Sequence, residues 1–384
     1  MSNSPLIILA AGGTGGHIFP SEALARELIA RNYQVRLVTD PRGGKFGDDL
    51  KDVAVTRIRA ASLGGSLLSK TRGALEMAMG TLQAFFLLRR LKPALVVGFG
   101  GYPSVPTVFA ASRLNIPVML HEQNAVLGRA NKVMAPLARL IATSFPHVSR
   151  LEGAAAAKAS LTGNPVRPAI CALHDKPYPF SSEANPLRLL VMGGSLGAQV
   201  FADVVPKAVA LLPEVLRKRL MISQQCRKED MAPARMAYDA LGLRVEMAPF
   251  FHDIPERLAQ CHLAICRSGA STVAELCMAG RPAVLVPYPY AIADEQKANA
   301  QTMAEAGAGW LIPQAAFTPE ALAVRLESLI VIPGALAKAA EAAKGLARLN
   351  AAGRLADLAV SLIDLSADHG DNGDSPENSN RKAA

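Results

Sequence analysis

Several features that mark other protein classes are missing from this sequence. Aromatic residues make up only 5% of the 384 residues, so a surface that binds single-stranded nucleic acid by base stacking is not expected. The five cysteines form no CxxC pair and no Cys/His metal spacing, which predicts free thiols in a reducing compartment. An Asp-x-Asp pair, which could cage a divalent cation on a nucleotide diphosphate, does not occur. These absences argue against single-stranded nucleic-acid binding by base stacking and predict no metal site.

Long hydrophobic runs are also missing. The apolar segment 6–11 is short, has no basic residue before it and leads into a glycine turn, so we predict a buried strand rather than a signal peptide. The most apolar later stretch, 74–88, contains Glu76 and Gln83 and is too short for a spanning helix. No membrane-crossing segment is expected.

Positive charge is concentrated in the first half of the chain. Residues 1–163 carry 19 lysines and arginines against 9 acidic residues, whereas the remainder carries 22 against 23. This asymmetry points to an anionic partner of the first half, whether nucleic acid, phospholipid or a phosphorylated substrate, unless the charge only keeps the surface soluble.

Two series of apolar strands separated by helical lengths predict two doubly wound, Rossmann-like α/β domains that face one another across a cleft. The turn-rich segment 162–168 lies between the series and marks the boundary, giving domains of residues 1–163 and 164–340. Residues 335–365 are helical by composition, and the polar tail 366–384 is expected to be disordered. The predicted strands are 6–11, 34–39, 94–98, 117–121, 140–143, 187–192, 219–224, 243–248, 262–266, 283–287 and 309–312.

A glycine-rich turn follows the first predicted strand and ends at His17. Four glycines around Thr14 let the backbone approach a ligand closely, and the following helix aims its amides at the same space. His17 stands at the helix entrance, where an imidazole could take a proton from an attacking hydroxyl, although a lone histidine is more often a capping or core residue. A dinucleotide fingerprint is the rival interpretation, because Asp40 closes the second strand. Ile18, in the third glycine position, argues against it.

The second half repeats this arrangement. The turn 193–198 opens a helix and supplies backbone amides and the Ser195 hydroxyl, which suit a diphosphate. A third turn, 267–275, brings Glu275 into the first helical turns, where its carboxylate could hold both ribose hydroxyls or merely complement the helix dipole. Segment 294–300 could hydrogen-bond sugar hydroxyls. In the absence of a carboxylate cage, helix N-termini, Ser195 and Arg167 are the groups available to stabilise leaving-group charge.

Six motifs occur in order and at fitting spacing between the N-terminus and about residue 365. They are GGTGGHIFP (12–20), GFGGYPSVP (98–106), HEQNAVLGRANK (121–132), TGNPVR (162–167), GGSLGA (193–198) and RSGASTVAEL (267–276). Together they resemble the MurG family, bacterial glycosyltransferases of the GT-B fold that transfer N-acetylglucosamine from UDP-N-acetylglucosamine to lipid I, forming lipid II in peptidoglycan synthesis. The resemblance implies an inverting, metal-independent displacement that uses no cofactor and involves no nucleic acid. It also implies that a C-terminal helix, 341–365, packs back on the first domain.

Carried over to the first domain, the resemblance assigns residues to both substrates. It implies that Thr14, Gly15 and Gly16 lie by the donor sugar and diphosphate, and that Asn124 contacts N-acetylglucosamine. His17 is the matching candidate for the general base.

In the second half, the resemblance implies contacts to the nucleotide and the sugar. Arg167 and Ser195 would meet the nucleotide, Phe251 would lie near the uracil and Gln296 would contact the sugar. Many members of the family have His-Gln where this chain has Glu295-Gln296, which leaves the role of position 295 open. The nucleoside pocket would be lined by Ala270, Ser271, Thr272, Val273, Ala274 and Glu275, with Glu275 on the ribose.

The resemblance also gives the basic first half a partner. Because the family's acceptor is a polyprenyl diphosphate in the inner leaflet, we expect peripheral association with anionic lipids on the cytoplasmic face of the bacterial inner membrane. Segment 63–92 combines apolar and basic side chains. The apolar ones are Leu67, Leu68, Phe85, Phe86, Leu87 and Leu88, and the basic ones are Lys70, Arg72, Arg89, Arg90 and Lys92.

Two other functions remain open at this point. A UDP-N-acetylglucosamine 2-epimerase shares such paired domains but needs no acceptor, and its mark would be formation of N-acetylmannosamine. A non-catalytic nucleotide-sugar-binding membrane scaffold would keep its biological activity without His17.

Overall fold

The computed structural model describes residues 4–12, 15–41, 50–61, 66–179, 185–194, 197–291 and 293–370. Within them the chain forms one sheet of seven strands and one of six, all parallel, and each sheet is covered by helices on both faces. The predicted fold class, two doubly wound Rossmann-like domains, is confirmed. All five cysteines are free thiols. No helix of the described ranges is long and apolar enough to cross a membrane.

The first sheet has the strand order β3-β2-β1-β4-β5-β6-β7. Its strands are β1 Leu6–Ala10, β2 Gln34–Thr39, β3 Ala54–Arg57, β4 Leu95–Gly98, β5 Val118–Glu122, β6 Leu140–Thr143 and β7 Ala159–Leu161. Its helices are α1 Gly15–Ala30, α2 Leu67–Leu91, α3 Val105–Arg113, α4 Arg129–Met134 and α5 Gly153–Ala156, with single 3-10 turns at Tyr102–Ser104 and Ala135–Leu137. The short helix α6 Pro168–Cys171 follows them and packs in the second domain, where Ile170 joins the core.

The second sheet has the order β10-β9-β8-β11-β12-β13. Its strands are β8 Leu187–Met192, β9 Leu220–Gln225, β10 Val245–Ala248, β11 Leu263–Cys266, β12 Ala283–Leu285 and β13 Gly309–Leu311. The remaining helices are α7 Gln199–Leu211, α8 Glu214–Arg217, α9 Lys228–Asp239, α10 Ile254–Gln260, α11 Ala270–Ala279, α12 Glu295–Glu305, α13 Pro319–Val331, α14 Ala335–Gly345 and α15 Ala351–Gly370, with a 3-10 turn at Gln314–Ala316.

Each sheet buries both faces, which is why its strands appear in the sequence as continuous apolar runs. In β1, Ile7 and Leu9 point to a core shared with α1 and α15, while Ile8 points to a core on the opposite face. The strand order reverses between β1 and β4 and again between β8 and β11. Ligands of doubly wound sheets bind at such switch points, beyond the carboxyl ends of the strands. The glycine motifs follow these strands.

The C-terminal helical region corrects two boundaries. Glu341 lies in α14, which packs on α11, and Ala343 is part of the second domain's core. The return to the first domain begins at Ala351, where α15 starts, because Leu355 and Ala359 are the residues that join the core around Ile7. Helix α15 also runs to Gly370, so 366–370 is helical rather than disordered. The rest of the predicted tail, 371–384, lies outside the described residues.

The chain passes from the first domain to the second near Gly163 and returns near Arg348, and these two crossings touch. Gly163, on the first crossing, has a φ of +88° and lies against the second crossing so closely that a Cβ there would be 2.4 Å from the Cβ of Arg348. Only glycine meets both requirements without strain.

Gly163→Ala is expected to destabilise the protein by about 1–3 kcal/mol more than Gly334→Ala. Gly334 has a φ of +73°, but a Cβ at this position would have no heavy atom within 4 Å, so the comparison separates overlap at the crossings from backbone strain. Urea unfolding measures the difference. Equal losses in the two variants would contradict tight contact between the crossings.

Candidate active site

A cleft of about 950 Å³ lies where the two domains face each other. From the first domain, Gly16 and Phe19 line it. From the second, the turn after β8, the N-terminus of α11 and the side chains of Tyr288 and Gln296 line it. Of the predicted site residues, Gly16, Ala270, Ser271, Thr272 and Gln296 therefore share one cavity. Thr14 and Ser195 lie outside the described residues.

His17 stands in the first turn of α1, which begins at Gly15. The turn before it requires glycine, because a Cβ at Gly12 would lie 2.7 Å from the Cβ of Pro103. The loop after β4 reaches the imidazole, and a Cβ at Gly101 would be 3.3 Å from its Cδ2. The imidazole Nδ1 is 3.2 Å from Oε1 of Gln123. The structure thus holds His17 between the glycine loop after β4 and the loop after β5.

The loop after β5 is organised by the buried carboxylate of Glu122. Its Oε1 accepts from the Asn124 backbone amide at 3.0 Å, and its Oε2 accepts from the Gly128 amide at 2.9 Å and from Nδ2 of Asn131 at 2.8 Å. Donors from both ends of the loop and from helix α4 therefore converge on one side chain. This fixes the loop that carries Gln123 and Asn124.

Asn299, on α12, joins this loop to the second domain. It is fully buried; its Oδ1 accepts from the Ala125 amide at 2.8 Å, and its Nδ2 donates to Oδ1 of Asn124 and to the Ser268 carbonyl, both at 3.1 Å. Asn124 in turn donates to Oε1 of Glu122 at 3.3 Å. The predicted sugar contact is therefore held between a carboxylate of one domain and a carboxamide of the other.

His121 is buried behind Gln123 in neutral form. Burial, and to a lesser extent the neighbouring His17, lowers the pKa of His121 from 6.5 to about 4, while the hydrogen bond to the Gly163 carbonyl acts in the opposite direction. The unfolded chain takes up this proton at the higher pH. The stability that neutral His121 contributes is therefore fully present above pH 6.5 and is lost as the pH falls toward 4.

Between about pH 7.5 and pH 5, this group alone is expected to cost the folded protein about 2 kcal/mol. Urea unfolding of the wild type and of His121→Asn at both pH values measures it. The wild type is expected to lose about 2 kcal/mol more than the variant on acidification. A loss of equal size in both proteins would mean that His121 is not the group responsible.

The turn after β8 is held by Gln225. The Gly193 amide donates to its Oε1 at 3.1 Å, and its Nε2 donates to the Gly194 carbonyl at 3.0 Å. A Cβ at Gly193 would lie 2.4 Å from the Ala198 nitrogen, so this position also requires glycine. The oxygen and the nitrogen of the Gln225 carboxamide therefore both hold the turn that is predicted to meet a diphosphate.

Arg267 lines the cleft beside this turn. Its Nη1 donates to the carbonyls of Val286 and Pro287 at 3.0 and 3.1 Å, and its Nη2 donates to Oε1 of Gln314 at 2.6 Å. Burial lowers its pKa, but the guanidinium remains a cation. Because all of these partners are neutral, its positive charge is available to an anion in the cleft.

Arg167 and Glu275, predicted to bind the nucleotide, are paired with each other. Nε and Nη2 of Arg167 both reach Oε1 of Glu275, at 2.9 and 2.8 Å. Burial raises the pKa of Glu275, and the charge and hydrogen bonds of Arg167 oppose the rise. Among the described residues, Oε2 of Glu275 has no hydrogen-bond partner, so one carboxylate oxygen remains for a ligand hydroxyl.

The other predicted nucleotide contacts differ in accessibility. Oγ of Ser271 is buried without a hydrogen bond in the described part of the chain. Val273 is 3% exposed in the core, and with Ala274 it lines a small cavity next to the cleft. The Phe251 ring is also buried, and the guanidinium of Arg257 covers one face at 3.8 Å from the ring centroid. The aromatic face of Phe251 is therefore not open to a base.

Sugar-contact candidate Gln296 is fixed by neighbouring backbone. Its Oε1 accepts from the Tyr288 amide at 3.0 Å, and its carbonyl accepts from Oγ of Ser268 at 2.7 Å. Glu295, the position whose role the sequence leaves open, accepts from the Ala293 amide at 3.1 Å and so helps to shape the turn before α12.

The sequence-based prediction gives no individual role to four polar residues of the site, namely Gln123, Gln225, Arg267 and Asn299, although Asn299 lies in the segment 294–300 that is predicted to bond sugar hydroxyls. Three of them are buried amides whose partners lie tens or hundreds of positions away. Their occurrence inside the recognised motifs, for Gln123 and Arg267, is the signal that could have found them.

Comparison with known proteins agrees with this arrangement. The model of the glycosyltransferase family 28 N-terminal domain matches residues 7–143, and that of the family 28 C-terminal domain matches residues 188–355. A UDP-N-acetylglucosamine--N-acetylmuramyl-(pentapeptide) pyrophosphoryl-undecaprenol N-acetylglucosamine transferase of Rhodospirillum centenum is 57% identical over 384 residues, which is 100% of both chains. The protein of the same name from Paramagnetospirillum magneticum is 51% identical over 94% of this chain and 98% of its own.

A solved structure has the same architecture. The crystal structure of Acinetobacter baumannii MurG aligns with a TM-score of 0.76 at 30% identity, covering 93% of this chain and 99% of that one. Both halves of the cleft thus have counterparts in one family. The chain belongs to glycosyltransferase family 28.

Proposed function

We propose that this protein transfers N-acetylglucosamine from UDP-N-acetylglucosamine to the C4 hydroxyl of the muramyl sugar of lipid I, forming lipid II. Two relatives with this activity in their names match 100% and 94% of the chain. The observation that carries the proposal is the composition of the cleft. On one wall lies the first turn of α1, which contributes Gly16 and also carries His17; on the other, a glycine turn lies beside Arg267, whose hydrogen-bond partners are neutral.

The second domain supplies the groups that a nucleotide diphosphate requires. The turn held by Gln225 and the N-terminus of α11 present backbone amides, and Arg267 adds a positive charge. Glu275 offers an oxygen to the ribose, and Ser271 offers a hydroxyl that has no partner among the described residues. The backbone amides and Arg267 stabilise the negative charge that develops on UDP as it leaves, while Glu275 and Ser271 hold the nucleoside.

The first domain supplies the groups that activate the acceptor. His17 takes the proton of the C4 hydroxyl while that oxygen forms a bond to the anomeric carbon. The bond from that carbon to the β-phosphate oxygen breaks, and its electron pair leaves with UDP on the opposite face. The configuration at the anomeric carbon is therefore inverted, and the proton passes from His17 to solvent.

Incubation with labelled UDP-N-acetylglucosamine and a short-chain lipid I analogue tests this activity. We expect label in a disaccharide-linked lipid, with β stereochemistry, at the same rate with and without chelator. Formation of N-acetylmannosamine without an acceptor would identify an epimerase instead. Binding of the sugar nucleotide without any turnover would identify a scaffold.

A hydrophobic stripe on α2 supports docking of this enzyme on a membrane surface. Leu75, Met79, Leu82 and Phe86 are 61%, 37%, 58% and 62% exposed, and their spacing places them within about 60° of arc on the helix. Exposed basic residues flank the stripe at both ends, namely Arg72, Arg89 and Arg90.

The stripe refines the patch that the sequence predicts. Leu88 is core, with no exposed surface, and the side chains of Leu67 and Leu68 lie outside the described part of the protein. We propose that the stripe contacts anionic lipids of the inner leaflet, beside the lipid acceptor.

Phe86→Ser is expected to weaken binding to anionic vesicles about tenfold, because the variant loses the aromatic ring that would be buried in the lipid surface. Met236→Ser removes a side chain of the second domain that is 72% exposed and serves as the matched control. Co-sedimentation with anionic and neutral vesicles at low and high salt measures the apolar and the electrostatic contributions to binding. Equal, salt-independent binding to the two vesicle types would contradict the electrostatic part.

A further inference from the structure

Gln123 has a carboxamide whose orientation is dictated by its surroundings. The side chain is 2% exposed, and Nε2 lies 3.0 Å from the Phe99 carbonyl oxygen and 3.2 Å from the His121 carbonyl oxygen. A carbonyl oxygen only accepts hydrogen bonds, so the amide nitrogen must face these two atoms. Oε1 is therefore the atom that faces His17.

This orientation determines the tautomer of His17. Oε1 of Gln123 can only accept, and it lies 3.2 Å from Nδ1 of His17, so Nδ1 must carry the proton. A neutral imidazole has one such proton, which leaves a lone pair on Nε2. Nε2 has no hydrogen-bond partner in the described residues and lies beside Gly101, where the absence of a side chain keeps the space open.

We propose that Gln123 is a positioning residue that locks His17 in the Nδ1-protonated form, so that Nε2 is the atom that accepts the acceptor's proton. The tautomer is a property of the protein alone, whereas its catalytic consequence rests on the proposed function. Gln123 itself touches no reacting atom. It acts through His17, as an orienting group does in other enzymes that use a histidine base.

His121 makes all the hydrogen bonds of this network run in one donor-to-acceptor direction. Its Nδ1 accepts from Nε2 of Gln123 at 3.0 Å, and its Nε2 faces the Gly163 carbonyl at 3.4 Å and Oγ of Ser144 at 3.3 Å. Burial holds the pKa of His121 near 4, so at neutral pH it does not present a second N–H to Gln123. Nδ1–H of His17 therefore donates to Oε1 of Gln123, Nε2 of Gln123 donates to Nδ1 of His121, and Nε2–H of His121 donates to the Gly163 carbonyl.

The wild-type tautomer is the first test and needs neither substrate nor a variant. Long-range proton–nitrogen NMR correlations of protein with ¹⁵N-labelled histidine distinguish a protonated Nδ1 from a protonated Nε2, and loss of signals in His17→Ala assigns them. We expect His17 to be protonated on Nδ1. A proton on Nε2 would overturn the proposal even if His17 proves essential for turnover.

Gln123→Met, which keeps the volume but removes the side-chain hydrogen bonds to His17, Phe99 and His121, is the second test. We expect a mixture of His17 tautomers and a kcat reduced about 10- to 100-fold, with little change in the Kd for UDP. The matched control is Gln224→Met, since Gln224 is also fully buried but bonds to Tyr238 in the second domain. The control is expected to leave the His17 signals unchanged.

The outcomes separate the two proposals. An unchanged tautomer in Gln123→Met would overturn the positioning role, whatever the activity. A changed tautomer in Gln123→Met, together with full turnover in both Gln123→Met and His17→Ala, would instead overturn the assignment of His17 as the base and leave the structural lock in place.

Discussion

Replacing His17 with alanine is expected to lower kcat by about 10²–10⁴-fold, the usual contribution of a positioned general base. The acceptor hydroxyl would then have to lose its proton to water. The Kd for UDP should change little, because the groups proposed to hold the nucleotide lie in the second domain. Single-turnover kinetics at saturating donor, together with calorimetric titration of UDP, separate these two effects.

His147→Ala is the matched control, since His147 is an exposed histidine of the same domain and is expected to tolerate the change. A loss of UDP affinity in His17→Ala as large as its loss of turnover would contradict the base assignment. His17 would then be a residue that shapes the cleft.

Glu275→Ala is expected to raise the Kd for UDP-N-acetylglucosamine about 100-fold. Hydrogen bonds to a charged group contribute about 1.5–3 kcal/mol, and the substitution also frees Arg167 from its only acidic partner among the described residues. The ribose can be tested directly with a UDP analogue that lacks the 2′-hydroxyl. The wild type should bind this analogue more weakly than UDP, and Glu275→Ala should bind the two equally.

Glu327→Ala removes an exposed carboxylate of the same domain and controls for the general loss of negative charge. If Glu275→Ala still discriminates between the two nucleotides as strongly as the wild type, Glu275 does not contact the ribose. Its role would then be to hold Arg167 and to complement the N-terminus of α11.

The central strands of both sheets follow from the sequence because burial on both faces demands continuous apolar residues. The edge strands β3 and β7 escape this argument. Residues 54–57 and 159–161 are only partly buried, and each has a neighbouring strand on one side only, so neither needs an apolar run. The start of α15 cannot be predicted from the sequence for another reason. The alanine-rich composition is the same on both sides of 346–350, and only long-range packing shows that α14 and α15 belong to different domains.

The candidate site divides in the same way. Glycines that admit a ligand and the helices behind them can be predicted, because a close backbone approach restricts the residue type locally. The amides that orient the site cannot. The motif around Gln123 marks a functional segment, but it does not indicate that Gln123 faces His17, and nothing around Asn299 indicates that it ties the domains together. Each partner is more than 100 positions away. Only the fold brings such pairs within hydrogen-bond distance.

The contact between the two crossings has a consequence for protein engineering. Because Gly163 lies against Arg348 and Ala351, the second domain leaves and rejoins the first at adjacent points, as an inserted module does. Such a module can be exchanged as one cassette between family members, with junctions at these two positions. On the proposed function, donor recognition would be transplanted as a unit, and the host would keep the domain proposed to bind the acceptor together with the stripe on α2.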